Sequence, residues 1–150
     1  MKEQLLQNAK EFYSAALTLK QQLDIKKLDE FKHNTKNGHL LEIMRMKNGM
    51  TAVMLDYKGD VFKGITLTIY PNGKLAKFRL TRNTSNIFYF NSNFGYESSI
   101  PESPTVEQFT KANTIMEECI VDINELAELI KTLNPIQKDN SKINRMANRR

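Results

Sequence analysis

Tryptophan is absent from these 150 residues, cysteine occurs once, and there are only four prolines and six glycines. The single Cys119 excludes an internal disulfide and a cysteine-based metal cluster. No run approaches the roughly 18 consecutive apolar residues that a membrane-spanning helix needs. The opening Met1-Lys2-Glu3-Gln4 lacks the apolar stretch of a signal peptide, so a cytoplasmic protein with no membrane partner is expected. Catalytic motifs are also missing: there is no phosphate-cradling glycine loop, no dinucleotide-type glycine pattern and no Gly-x-Ser-x-Gly. The expectation is a protein without a cofactor that is not an enzyme.

What is present suits a globular chain. Apolar residues make up 40%, and a chain of this length forms about one domain with a sizeable core. The net charge is +5, from 22 Lys plus Arg against 17 Asp plus Glu. Lysine (16) and asparagine (15) far outnumber arginine (6), a bias that A/T-rich coding DNA also produces, so the basic balance is modest evidence of a polyanion partner.

Leu5, Ala9, Phe12, Ala16, Leu19 and Leu23 recur at helical spacing, with Leu6, Tyr13 and Leu17 beside them. No Gly or Pro interrupts residues 2–36, and Ile25, Leu28 and Phe31 continue the stripe in a new phase. This predicts a helical region with a kink or restart at Asp24, ending at Asn37-Gly38. Between residues 39 and 91 the pattern changes to β-type runs separated by Asn48-Gly49, Gly59-Asp60, Asn72-Gly73 and a polar stretch at 83–86. Strands are expected near 39–47, 50–58, 61–70, 74–82 and 87–91, in an antiparallel meander. A two-residue Asn72-Gly73 loop pairs Ile69 with Ala76, Leu67 with Phe78 and Ile65 with Leu80 on one face. Thr68 then pairs with Lys77 and Thr66 with Arg79 on the other. A turn at Gly59-Asp60 sets Asp56 opposite Lys63 and Met54 opposite Ile65. The first hairpin is apolar on both faces, which predicts a helix on one side and partial cover by another element or subunit on the other.

Residues 92–103 read as a loop. Ser103 is the expected N-cap and Pro104 the first residue of a second helix reaching about Asn134, with Phe109, Ala112, Met116, Cys119, Ile123, Leu126, Ile130 and Leu133 along one stripe. The fold class is therefore α+β: an N-terminal helical segment, a four- to five-stranded antiparallel meander and a long C-terminal helix packed on the sheet. Residues 1–134 form the expected single domain and 135–150 a flexible basic tail. Both long stripes also permit a homodimer through the helices.

Charge divides along the chain: residues 39–96 carry +5 and residues 97–134 carry −6. All six arginines lie in the strands or the tail. Arg45, Thr66, Thr68, Tyr70, Lys77, Arg79 and Arg82, with Lys142, Arg145, Arg149 and Arg150 of the tail, are the candidate nucleic-acid contacts. Cations would follow phosphates, and the ring of Tyr70 would stack on a base. A basic sheet face binding single-stranded DNA or RNA is the first functional expectation. The second is a protein-binding regulator or inhibitor, of a kind carried by phages and mobile elements, acting through Glu117, Glu118, Asp122 and Glu125 of the acidic helix. The aromatic run Ile87-Phe88-Tyr89-Phe90 reads as a core strand. Cys119 reads as core, its thiol pushed up by neighbouring carboxylates. His33 and His39 flank a turn and are not expected to bind metal. The run of strand hairpins followed by one amphipathic helix resembles the Whirly-type single-strand-binding proteins over about residues 39–134. That resemblance is one of topology alone and assigns no binding residue.

Overall fold

In the computed structural model, residues 2–57, 59, 61–82, 85–98 and 104–133 are described. The expected tail lies outside them, as do Lys142, Arg145, Arg149 and Arg150. The fold is α+β as expected, with two more strands than the sequence reading placed. The order is α1 (Lys2–Ile25), β1 (Glu30–Asn34), β2 (Leu40–Arg45), β3 (Thr51–Asp56), β4 (Gly64–Ile69), β5 (Leu75–Arg82), β6 (Ser85–Phe90), β7 (Tyr96–Glu97) and α2 (Val106–Lys131). All seven strands form one antiparallel sheet in sequence order.

The first helix does bury Leu5, Ala9, Phe12, Ala16, Leu19 and Leu23, but it stops at Ile25 rather than continuing to Asn37-Gly38. Lys27 adopts a left-handed φ of 57°. Its N–H donates to Asp24 O, while Leu28 N–H donates to Leu23 O at 3.0 Å. This is the Schellman end of a helix, with Leu28 and Leu23 both buried beside it. A left-handed lysine is strained where a glycine is not. Lys27→Gly is therefore expected to raise stability by up to about 1 kcal/mol in urea unfolding.

Freed from the helix, residues 30–34 form β1, and Asn37-Gly38 becomes a hairpin turn. It shares its geometry with two others. Thr35, Met46 and Tyr70 each donate their N–H across a three-residue loop, to the carbonyls of His39, Met50 and Lys74 at 2.7–2.8 Å. Gly38, Gly49 and Gly73 take φ of 87°, 87° and 92°. The third loop residue of such a turn must be left-handed, which is what the Asn-Gly pairs provide. The loops are thus one residue longer than the expected two-residue turns. Ile69 consequently pairs with Leu75, leaving Ala76 in a bulge, whereas Leu67–Phe78, Ile65–Leu80, Thr66–Arg79 and Thr68–Lys77 pair as the sequence implied. The β3–β4 register moves by one from expectation: Asp56 faces Gly64 and Met54 faces Thr66. The strand β7 falls in what had read as a loop.

Two rows cross the sheet on its inner face. Phe31, Ile43, Val53, Leu67, Phe78, Phe90 and Tyr96 form one, and His33, Leu41, Leu55, Ile65, Leu80 and Phe88 the other. Both helices cover this face. Phe12 of α1 meets Phe78 at 5.0 Å between ring centroids, and Phe109 of α2 meets Phe88 at 5.4 Å. Each helix spans the sheet. The first runs from Tyr96, beneath Lys2, to Arg45, which is ion-paired with Asp24. The second runs from Phe88 and Tyr96 to His33 and His39. Asn8 Nδ2 donates to Asn113 Oδ1 between them at 3.1 Å. The N-cap of α2 is Thr105, in a capping box with Gln108; the expected cap, Ser103, is outside the described residues. Both apolar stripes thus face inward, and α2 leaves Val106, Val121 and Leu129 as its exposed large apolar residues.

Candidate binding face and a buried histidine–carboxylate cluster

No described element packs on the outer face of the sheet. One row across it reads Lys32, Glu42, Met54, Thr66, Arg79, Tyr89 and Glu97, in continuous register over all seven strands. Beside it lies Glu30, Met44, Ala52, Thr68 and Lys77, and on the other side Asn34, Leu40, Asp56, Gly64, Thr81 and Asn86. The structure thus gathers Thr66, Thr68, Lys77 and Arg79 on one face, as the sequence placed them, and adds Tyr89. Tyr70, at the end of β4, is 46% exposed.

The other expected basic contacts are elsewhere. Arg45 is ion-paired with Asp24, whose carboxyl is held below the ordinary carboxylate range: burial works against this, and Lys20 and Arg45 outweigh it. Arg82 lies at the strand end, opposite Ser85. The outer face is accordingly not basic. Lys32, Lys77 and Arg79 share it with Glu30, Glu42, Asp56 and Glu97. An apolar patch lies on β2 and β3, with Leu40, Met44 and Met54 half-buried and Ala52 buried among them. Carboxylates dominate on the β1–β3 side, and β5 carries Lys77 and Arg79, neither with an ion-pair partner among the described residues.

The acidic helix differs more from expectation. Asp122 is not on a solvated surface; it is fully buried. Its Oδ2 accepts from His39 Nδ1 at 2.8 Å and its Oδ1 from Asn37 Nδ2 at 2.9 Å. Glu118 Oε1 lies 3.7 Å from His39 Nε2, and Glu125 is bonded to His33. Glu125 is held below its ordinary range by His33 and Lys36, against the opposing effect of burial. Only Glu117 of the four is exposed.

Local turn chemistry makes this cluster possible. In the two later Asn-Gly turns, Asn48 and Asn72 accept from the N–H two residues on, of Met50 and Lys74, at 3.0 Å. In the first, Thr35 Oγ1 takes that role for His39 N–H at 3.1 Å, and Asn37 turns its amide to Asp122. Cys119, one helical turn before Asp122, is also fully buried. Burial pushes its thiol well up, and Asp122 and Glu118 push it further. The Tyr57 ring packs tilted against His39, 4.7 Å between centroids, and also lines a depression of about 630 Å³ with Phe62, Lys63, Lys111 and Ile115.

Sequence reading kept these groups apart because residues 30–38 were assigned to a helix. The legible signal was that both histidines and the single cysteine shared apolar or turn positions rather than the surface.

No family model, no curated protein and no solved structure matches this chain, so the topological likeness to Whirly-type proteins has no structural match behind it.

Proposed function

We propose that this is a non-enzymatic protein-binding module that uses the outer face of its sheet, and that the partner is a second copy of the chain. The apolar patch of Leu40, Met44, Ala52 and Met54 on an uncovered sheet face carries this reading. An antiparallel sheet facing water is ordinarily polar on that side, and a contiguous apolar patch framed by charge is the anatomy of an interface.

The two halves of the face are complementary in charge at the centre of its longest row. Rotating one copy by 180° about an axis parallel to the strands, between β3 and β4, sets Glu42 of one copy against Arg79 of the other. The same rotation sets Lys32 against Tyr89 and covers the apolar patch with the β4–β5 half of the partner, Met54 against Thr66, Ala52 against Thr68 and Met44 against the aliphatic stem of Lys77. At about 4.8 Å between strands and 3.4 Å per residue, the sheet offers roughly 600 Å² of flat area, near the ~800 Å² per partner of a standard interface. The half side chains still exposed are worth about 1 kcal/mol each on burial, more than typical exposed ion pairs. The two cations on β5, by contrast, supply a salt slope of only about −1.4 on single strands, well short of a dedicated polyanion surface.

Sedimentation velocity across a concentration series tests this. The unaltered protein is expected to dimerise, and Met54→Lys to be monomeric with native stability. A wild-type monomer up to millimolar concentration would remove the reading. Retention of single-stranded oligonucleotides that is lost in Lys77→Glu with Arg79→Glu would instead assign the face to nucleic acid.

A further inference from the structure

The geometry points to His39, Cys119 and Asp122 as the ligands of one zinc-class divalent cation, held between the β1–β2 turn and α2. Their donor atoms all lie within 4.8 Å of one another, and all three residues are buried. Tetrahedral zinc, with bonds of about 2.0–2.3 Å, spaces its donors about 3.3–3.8 Å apart. The widest edge of the cluster therefore needs to draw in by about 1 Å, and the 2.8 Å His39–Asp122 contact to open slightly.

Three further observations point the same way. The thiol of Cys119 is fully buried beside His39 and Asp122 without a hydrogen-bond partner among the described residues. The surroundings already hold the candidate ligands as metal sites do. Asn37 grips the outer oxygen of Asp122, and Glu118 faces His39 Nε2 at 3.7 Å, where a metal-bound imidazole would carry its hydrogen. Charge also favours a cation, since the carboxylates of Glu118, Asp122 and Glu125 converge here against His33, His39 and, at Glu125, Lys36.

On binding, the Cys119 S–H bond breaks as the Sγ–metal bond forms, and the proton passes to water. His39 shifts its hydrogen from Nδ1 to Nε2, freeing Nδ1 for the metal. The mixed nitrogen, sulfur and oxygen donor set suits zinc or cobalt and is wrong for calcium or magnesium, which take oxygen alone. Three protein ligands leave the fourth tetrahedral position to a water.

The test uses the full, untagged chain, stripped with chelator and titrated with Co²⁺ or Zn²⁺ alone. One equivalent of Co²⁺ is expected to bring up near-ultraviolet thiolate charge-transfer absorption, which Zn²⁺ then abolishes by displacement. Zn²⁺ should raise Tm progressively with its free concentration, and Mg²⁺ or Ca²⁺ should leave it unchanged. Cys119→Ser should weaken cobalt binding at least tenfold and lose the absorption. Since Cys119 is the chain's single thiol, the spectrum of the unaltered protein decides the matter even if the variant does not fold. Absence of the thiolate band, or equal affinity in Cys119→Ser, would overturn the assignment.

Discussion

Phe78→Ala is expected to remove about 3–5 kcal/mol of stability, a large share of the roughly 5–15 kcal/mol that holds a domain folded. Phe78 is fully buried at the centre of the inner face, where β5 meets both its neighbours and a helix. Its ring lies 5.0 Å from Phe12 of α1 and 4.9 Å from Phe90 of β6, and Leu67 is its partner on β4. A methyl group in its place leaves a cavity lined by three strands and α1, none of which can close it without disturbing the sheet. Leu67→Ala, in the same row, should cost about 2–5 kcal/mol. Thr68→Ala should cost well under that, because Thr68 points to the outer face between Ala52 and Lys77. Urea unfolding of the three variants, with unchanged m-values, is the measurement. Equal losses at all three positions would contradict the facing of β4.

The same residues explain why this hairpin was legible and the chain's first one was not. Around Asn72-Gly73, apolar meets apolar and polar meets polar at every rung from Gly64 to Thr68, so a one-residue slip would reverse both faces. Only the rung nearest the turn was misplaced, because a three-residue loop with a bulge and a two-residue loop carry the same Asn-Gly signal. At the first hairpin no breaker marked the end of α1. The left-handed position that stops it is occupied by Lys27, which has no compositional signature, and Ile25, Leu28 and Phe31 continued a plausible helical spacing. The missing β1 carried the candidate cluster with it, since His33 and His39 come to face Asp122 and Glu125 only when residues 30–45 form a hairpin. Charge was legible as a total for the strands but not by face. Alternation assigns Lys77 and Arg79 correctly, yet the carboxylates beside them come from β1, β2, β3 and β7, and the register of four strands decides that.

Asp122→Ala, with a chelator present so that no metal contributes, is expected to destabilise the protein by about 3–5 kcal/mol. The carboxylate has no contact with solvent and is the acceptor for two donors, His39 Nδ1 and Asn37 Nδ2. Removing it deletes both bonds and leaves the imidazole N–H of buried His39 without an acceptor, the costlier part of the change, whereas exposed Asn37 can turn its amide to water. Asp122→Asn should lose less. Its single carbonyl oxygen can still accept from one of the two, while its amide is turned against the other. The orphaned imidazole donor also predicts strong coupling. In a protein already carrying His39→Phe, Asp122→Ala should cost less than half of what it costs alone, because the imidazole donor is no longer there to be stranded. Glu117→Ala, five residues before Asp122 and exposed on the same helix, should change stability by under about 0.5 kcal/mol. A loss below about 1 kcal/mol for Asp122→Ala would mean that water reaches His39 freely, and that α2 is not fastened to the β1–β2 turn through this carboxylate.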